Sequence, residues 1–169
     1  QTWRVCGPQD MSKEEWDFTK KTGVTFVHIE MEEVTDRAAA ISDEEAEKTL
    51  AELMKRSGKS VADKKALVYM AKVYMATKEI IAKYHLTSVA AECYPNYGGL
   101  MNLVSSWMAD EGVLVDTEGD LGHAFVINTL NQLIALKERE RTVVDHASHL
   151  IYLGDLLHYF LKGQITMSY

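Results

Sequence analysis

The sequence predicts an α/β protein, a parallel sheet flanked by helices in a Rossmann-like, doubly wound single domain. Three observations predict it. Short β-branched or apolar runs alternate with longer runs of helical periodicity, and glycine or proline marks many of the changes between them. The chain has 169 residues, 47% hydrophobic and 25% charged, enough to bury a core.

Trp3-Arg4-Val5-Cys6 reads as a first strand closed by Gly7-Pro8. Ser12, followed by Glu14, Glu15 and Trp16, reads as an N-cap with an acidic first turn, opening a helix over 12–22 that stops at Gly23. Val24-Thr25-Phe26-Val27-His28-Ile29 is β-branched and aromatic and predicts a second strand. From Ser42-Asp43-Glu44-Glu45 a polar helix runs to Lys55, with Ala46, Leu50, Leu53 and Met54 on one stripe. A long helix over 61–84 carries Leu67, Met70, Ala71, Tyr74, Met75, Ile80, Ile81 and Tyr84 at helical spacing. Its methionines read as gap-filling core rather than as a cofactor surface.

Leu86 to Cys93 is the third predicted strand, Tyr94 to Gly99 a loop, and Leu100 to Ala109 a helix ending at Asp110-Glu111-Gly112. Val113 to Glu118 is the fourth strand, and Gly119-Asp120 opens a further helix through Phe125, Ile127, Leu130, Leu133 and Ile134. After Lys137 the character changes. Glu138-Arg139-Glu140-Arg141 is a charge run, read as a solvated helix end or linker, and an apolar tail with three histidines follows. The division expected is an α/β domain over 1–137 and a helical tail over 138–169.

Charge and composition narrow the function. With 25 acidic against 18 basic side chains and a formal charge of −7, the surface is not built to neutralise phosphates, and nucleic acid is excluded as the expected partner. Cys6 and Cys93 are too few for a disulfide framework and read as thiols in a reducing, cytoplasmic compartment. No apolar run approaches the ~20 residues of a membrane span, so a soluble protein with no membrane partner is expected. The chain starts at Gln1 with strand-like sequence close behind, which suggests a domain of a longer protein.

In a parallel sheet, ligands bind beyond the carboxyl ends of the strands. Glu92 ends the third predicted strand, Glu118 ends the fourth, and Asp120 follows, so a right-handed crossover brings the three carboxylates to one edge. Strands ~4.8 Å apart let two or three carboxylates share a divalent cation, and oxygen ligands with an imidazole such as His123 suit Mn²⁺ or Mg²⁺. The alternative is that Thr117-Glu118-Gly119-Asp120 is a helix N-terminus whose acids cap orphan amides, with His123 in solvent. In the loop before the helix, Tyr94, Asn96, Gly98 and Gly99 are candidate substrate contacts. The Gly98-Gly99 turn can also cradle a phosphate on the helix N-terminus, although it lacks a dinucleotide fingerprint. His146 and His149, at i and i+3 beside Asp145 with His158 nine residues on, can chelate a metal if helical but lack a zincin glutamate and read first as amphipathic packing, and Cys93 reads as a packed thiol rather than a nucleophile.

Glu92-Cys93-Tyr94-Pro95, Ala109-Asp110-Glu111-Gly112 and Thr117-Glu118-Gly119-Asp120, in that order, resemble motifs of the L-fucose isomerase-like family over residues 3–136. The resemblance implies a Mn²⁺-dependent aldose–ketose isomerase that moves a proton between C1 and C2 of an open-chain sugar through an enediol. It implies Asp120 as a metal ligand, with Glu118 as ligand or proton shuttle and Glu92 as a further acid of the site. Some relatives carry the first metal glutamate where this chain has Asn96. The family's third ligand comes from a separate C-terminal domain that the residues after Lys137 do not match. A homo-oligomer, with further domains of the same enzyme, is the expected assembly. A non-catalytic sugar- or phosphate-binding module is the competing expectation.

Overall fold

The computed structural model describes residues 15–57, 60, 62–91, 97 and 99–141. Among them stand α1 (Glu15–Thr22), α2 (Met31–Ala40), α3 (Asp43–Ser57), α4 (Lys64–Tyr84), β1 (Ser88–Ala90), α5 (Leu100–Ala109), β2 (Leu114–Asp116) and α6 (Leu121–Arg141). This corrects the doubly wound expectation. The described residues are mostly helical, and their sheet has two strands of three residues each. What survives is the direction: β1 and β2 are parallel, with Ser88 opposite Leu114, Val89 opposite Val115 and Ala90 opposite Asp116.

The missing strands have a physical reason. A strand exists by its ladder of backbone bonds, and composition alone supplies none. Val24–Ile29 has strand composition but no regular structure, and among the described residues of the third and fourth predicted strands only Ser88–Ala90 and Leu114–Asp116 pair. Trp3–Cys6 lies outside the described residues. Met31–Ala40, to which the sequence reading gave no element, is a helix whose Val34 and Ala38 are buried.

By internal contacts the chain divides into one unit over 1–129 and another over 130–169. Of the second unit the structure describes helix 130–141, on which Leu130, Ile134 and Leu136 are exposed. The charge run Glu138–Arg141 is helical.

Within the first unit α4 is the central element, packed by α2, α3 and α5. Fully buried alanines, Ala38 on α2, Ala46 on α3 and Ala71 and Ala76 on α4, let the helix backbones approach closely. The expected apolar stripes of α3 and α4 are largely core: Leu50, Leu53, Tyr74 and Ile80 are buried, and Met54, Met70 and Met75 pack partly buried against them. From α5 come Met101, Val104, Trp107 and Met108, and the Trp107 ring meets Tyr74 edge-on at 6.0 Å.

The helix ends are built from local sequence. Ser42 Oγ accepts the Glu45 amide at 3.2 Å while Glu45 Oε2 accepts the Ser42 amide at 3.3 Å, a capping box that opens α3. Asp63 accepts the Ala66 amide at 3.2 Å and caps α4. The end of α5 explains Asp110-Glu111-Gly112. The Val113 amide bonds Met108 O at 3.1 Å and the Gly112 amide bonds Ala109 O at 3.0 Å, the two bonds of a Schellman stop, with Gly112 left-handed at φ +76°.

Glu111 meanwhile ties three helices together. It accepts hydrogen bonds from Tyr74 Oη and, at 2.7 Å, from Lys78 Nζ, both on α4, and Arg56 of α3 stands 3.4 Å away. Burial pushes the Glu111 carboxyl up, but the bonds from Lys78 and Tyr74 and the charges of Lys78 and Arg56 outweigh it and hold it below the usual carboxylate range. A carboxyl depressed on folding stabilises the fold above its unfolded value, near 4.5, and loses that contribution as pH falls through the lower folded value. The stability gap between wild type and Glu111→Gln, followed by urea denaturation, is therefore expected to be full at about pH 6 and to close on acidification below about pH 4. A gap that is independent of pH overturns the assignment.

Candidate functional site

The site is built where the parallel pair ends. Asp116, the last residue of β2, is 8% exposed, and its carboxylate gathers the turn that follows. Oδ1 accepts the Glu118 amide at 3.0 Å and the Asp120 amide at 2.8 Å, and Oδ2 lies 2.6 Å from Nδ1 of His123. An aspartate that accepts the amide two residues on is an Asx turn. Here it curls Thr117-Glu118-Gly119-Asp120 back over the strand end. Gly119 makes the curl feasible, because its φ of +70° is a left-handed conformation that side chains with a Cβ disfavour.

Asp120 then starts α6. Its Oδ1 accepts the His123 amide at 2.9 Å and its carbonyl accepts the Ala124 amide at 3.0 Å, so it is the helix N-cap. The capping reading of this acid is thus present in the structure, alongside any further role. Glu118 is exposed on the turn, and the His123 side chain is 53% exposed on the first turn of α6. The structure therefore brings Glu118, Asp120 and His123 onto one short turn. Glu92, Cys93, Tyr94, Asn96 and Gly98 lie outside the described residues, as do Cys6, Asp145, His146, His149 and His158. Gly99 is described, at φ +77°, and opens α5. The amides of Leu100 and Asn102 are taken by Tyr97 O at 2.8 Å and Gly99 O at 3.2 Å, which leaves fewer donors for a phosphate there than the sequence suggested.

Beside this turn runs an open cleft of about 1340 Å³. One wall is β1, with Ser88, Val89 and Ala90, and another is the irregular segment Val24–Ile29. The Ala91 amide bonds Asp116 O at 2.8 Å, so alternation turns the peptide groups of Ser88 and Ala90 away from β2. Gly119 and Leu121 belong to the cleft lining, which brings it up to the Asp116 turn. Phe18, Phe26 and Phe125 line it as a T-shaped cluster, with centroids 5.7 and 5.2 Å from Phe18. Polar groups complete the lining. Tyr97 Oη donates to Glu32 at 3.0 Å, Tyr84 Oη lies 3.1 Å from Glu33, and His28 Nε2 lies 2.8 Å from Glu15. The hydrogen bond from Lys83 holds the Glu33 carboxyl below the usual carboxylate range; burial pushes the other way, and the bond from Tyr84 and the charge of Lys83 add to the lowering.

Sequence reasoning missed Asp116 and the cleft. Asp116 was readable as an Asx turn, an aspartate four residues before another with a glycine between them. Nothing local marks the cleft, whose walls are more than fifty residues apart in sequence.

A divalent cation needs a converging ligand set. Among the described residues no group of three His, Cys, Asp or Glu side chains stands close enough to hold a metal ion. His123 directs Nδ1 to Asp116, and Asp120 uses Oδ1 as a cap. The described residues therefore do not make a Mn²⁺ or Mg²⁺ centre by themselves. No helix among them is long and apolar enough to cross a membrane. Comparisons of the chain with protein-family models, curated proteins and solved structures find no match.

Proposed function

We propose that the chain binds an open-chain sugar in the cleft along β1 and contributes the turn after β2 to an aldose–ketose isomerase centre. The observation that carries the reading is the juxtaposition of two features. A turn bearing Glu118, Asp120 and His123 is clasped by a buried aspartate at the carboxyl end of a parallel pair, and it adjoins a cleft lined with aromatic rings and hydroxyls. Ligands of parallel sheets bind at that end. Aromatic faces with hydroxyl and carboxylate partners suit a neutral polyol, whose C–H faces stack and whose hydroxyls donate to acids. Glu15, Glu30 and Glu32 on the lining oppose an anionic phosphate.

The motif resemblance supplies the reaction class, interconversion through an enediol. A carboxylate at the turn takes the proton from C2 and returns it to C1, while the hydroxyl proton of O2 passes to O1 through the enediol, so Glu118, exposed and beside Asp120, has the shuttle role. Any Mn²⁺ or Mg²⁺ in this centre takes part of its ligand set from outside the described residues, and a homo-oligomer or further domains of the same protein are the sources proposed.

Asp120→Asn is the discriminating variant, because asparagine still caps a helix while removing the charge. With the full-length protein, Mn²⁺ and a panel of aldoses in D₂O, NMR is expected to show deuterium entering the sugar carbon next to the carbonyl, and Asp120→Asn to lower that rate by about 100-fold. Full activity of the variant sinks the site assignment, and no exchange on any sugar sinks the isomerase reading. The lining alone also fits a sugar-binding module without catalysis. Calorimetric sugar binding that is indifferent to chelator and to Asp120→Asn, without exchange, selects that second reading.

A further inference from the structure

We infer that Asp116 is a positioning residue: it fixes the imidazole of His123 as the Nδ1–H tautomer and so presents the Nε2 lone pair at the carboxyl end of β2, as an acceptor for a sugar hydroxyl. The ligand named here rests on the proposed function, but the tautomer does not. Three observations lead to it. Oδ2 of Asp116 lies 2.6 Å from Nδ1 of His123, and a buried carboxylate in its ionised form only accepts, so the hydrogen between them belongs to the ring.

The carboxylate is also unable to turn away, because Oδ1 already accepts the amides of Glu118 and Asp120. The backbone that carries the ring is held by Asp120, whose Oδ1 takes the His123 amide at 2.9 Å. With its position and proton both set, the remaining nitrogen points away from Asp116 on a side chain 53% exposed, and no described residue bonds to it. This is the arrangement by which a carboxylate behind a histidine prepares the far nitrogen to accept. Neither Asp116 nor this use of His123 follows from the carboxylate cluster read in the sequence.

Asp116→Asn tests it with little change of shape. The asparagine oxygen still accepts the two amides, while its amide nitrogen donates to Nδ1 and drives the ring proton to Nε2. Long-range ¹H–¹⁵N correlation of the full chain labelled at histidine, recorded on the neutral ring, is expected to show Nδ1 protonated in the wild type and Nε2 protonated in the variant. Wild type with its proton on Nε2, or no exchange of tautomer in Asp116→Asn while the Glu118 and Asp120 amide signals persist, overturns the inference. The wild-type spectrum decides even if the variant does not fold. In the deuterium-exchange assay the variant is expected to lose about 10–100-fold in rate. A reversed tautomer with unchanged rate removes the sugar-acceptor role. A reversed tautomer in a protein that exchanges no sugar upholds Asp116 as the positioning residue and refutes the isomerase reading instead.

Discussion

Trp107→Ala is expected to lower the unfolding free energy by about 3–5 kcal/mol, the range for deleting a large buried aromatic side chain. Trp107 is 1% exposed, packs edge-on against Tyr74, and sits among Met101, Val104 and Met108 in the layer that joins α5 to α4. Domains of this size are typically stable by about 5–15 kcal/mol, so the loss is a large share of the whole. Trp16, on α1, is 78% exposed, and Trp16→Ala is expected to stay within about 0.5 kcal/mol of wild type. Urea denaturation of the two variants measures the contrast. Equal midpoints would place the core elsewhere.

The second large effect is at the strand end. Asp116→Ala leaves the amides of Glu118 and Asp120 without their acceptor, and an unsatisfied, partly buried donor costs about 1–3 kcal/mol. A total loss of about 2–3 kcal/mol is expected, accompanied by loosening of the turn. Asp116→Asn keeps the accepting oxygen and is expected to remain within about 1 kcal/mol of wild type. Denaturation curves showing alanine and asparagine equally stable would mean that the carboxylate does not organise this turn.

These two residues also show what was legible in the sequence. Helical stripes are dense, local signals, and Leu50, Leu53, Tyr74 and Ile80 fell in the core as the periodicity required. Strands were overcalled because β composition describes one partner of a pair. Val24–Ile29 has the composition and lacks the ladder, while Ser88–Ala90 and Leu114–Asp116 have the partner and pair. The α2 helix escaped notice because Met31–Ala40 has only Val34 and Ala38 buried, too sparse a stripe to announce itself. The apolar run of the fourth strand extends in composition to Glu118, whereas the ladder stops and the turn is organised at Asp116. Asp110-Glu111-Gly112 was read as one element of a resemblance. The helix stop at Gly112 is local, made by backbone bonds to Met108 and Ala109, but the three-helix anchor at Glu111 depends on Tyr74, Lys78 and Arg56, far away in sequence.

One wall of the cleft differs in kind from the others. Along β1 the peptide groups of Ser88 and Ala90 face away from β2, and every amino acid except proline carries the same donor and acceptor there. Substitution can alter the rings of Phe26 and Phe125 or the acids opposite, but it leaves the main-chain pattern almost untouched. Main-chain hydrogen bonding along β1 therefore resists sequence drift. The chemical character of the cleft is set instead by the side chains of its remaining walls, and those are the positions at which selection or engineering can change it.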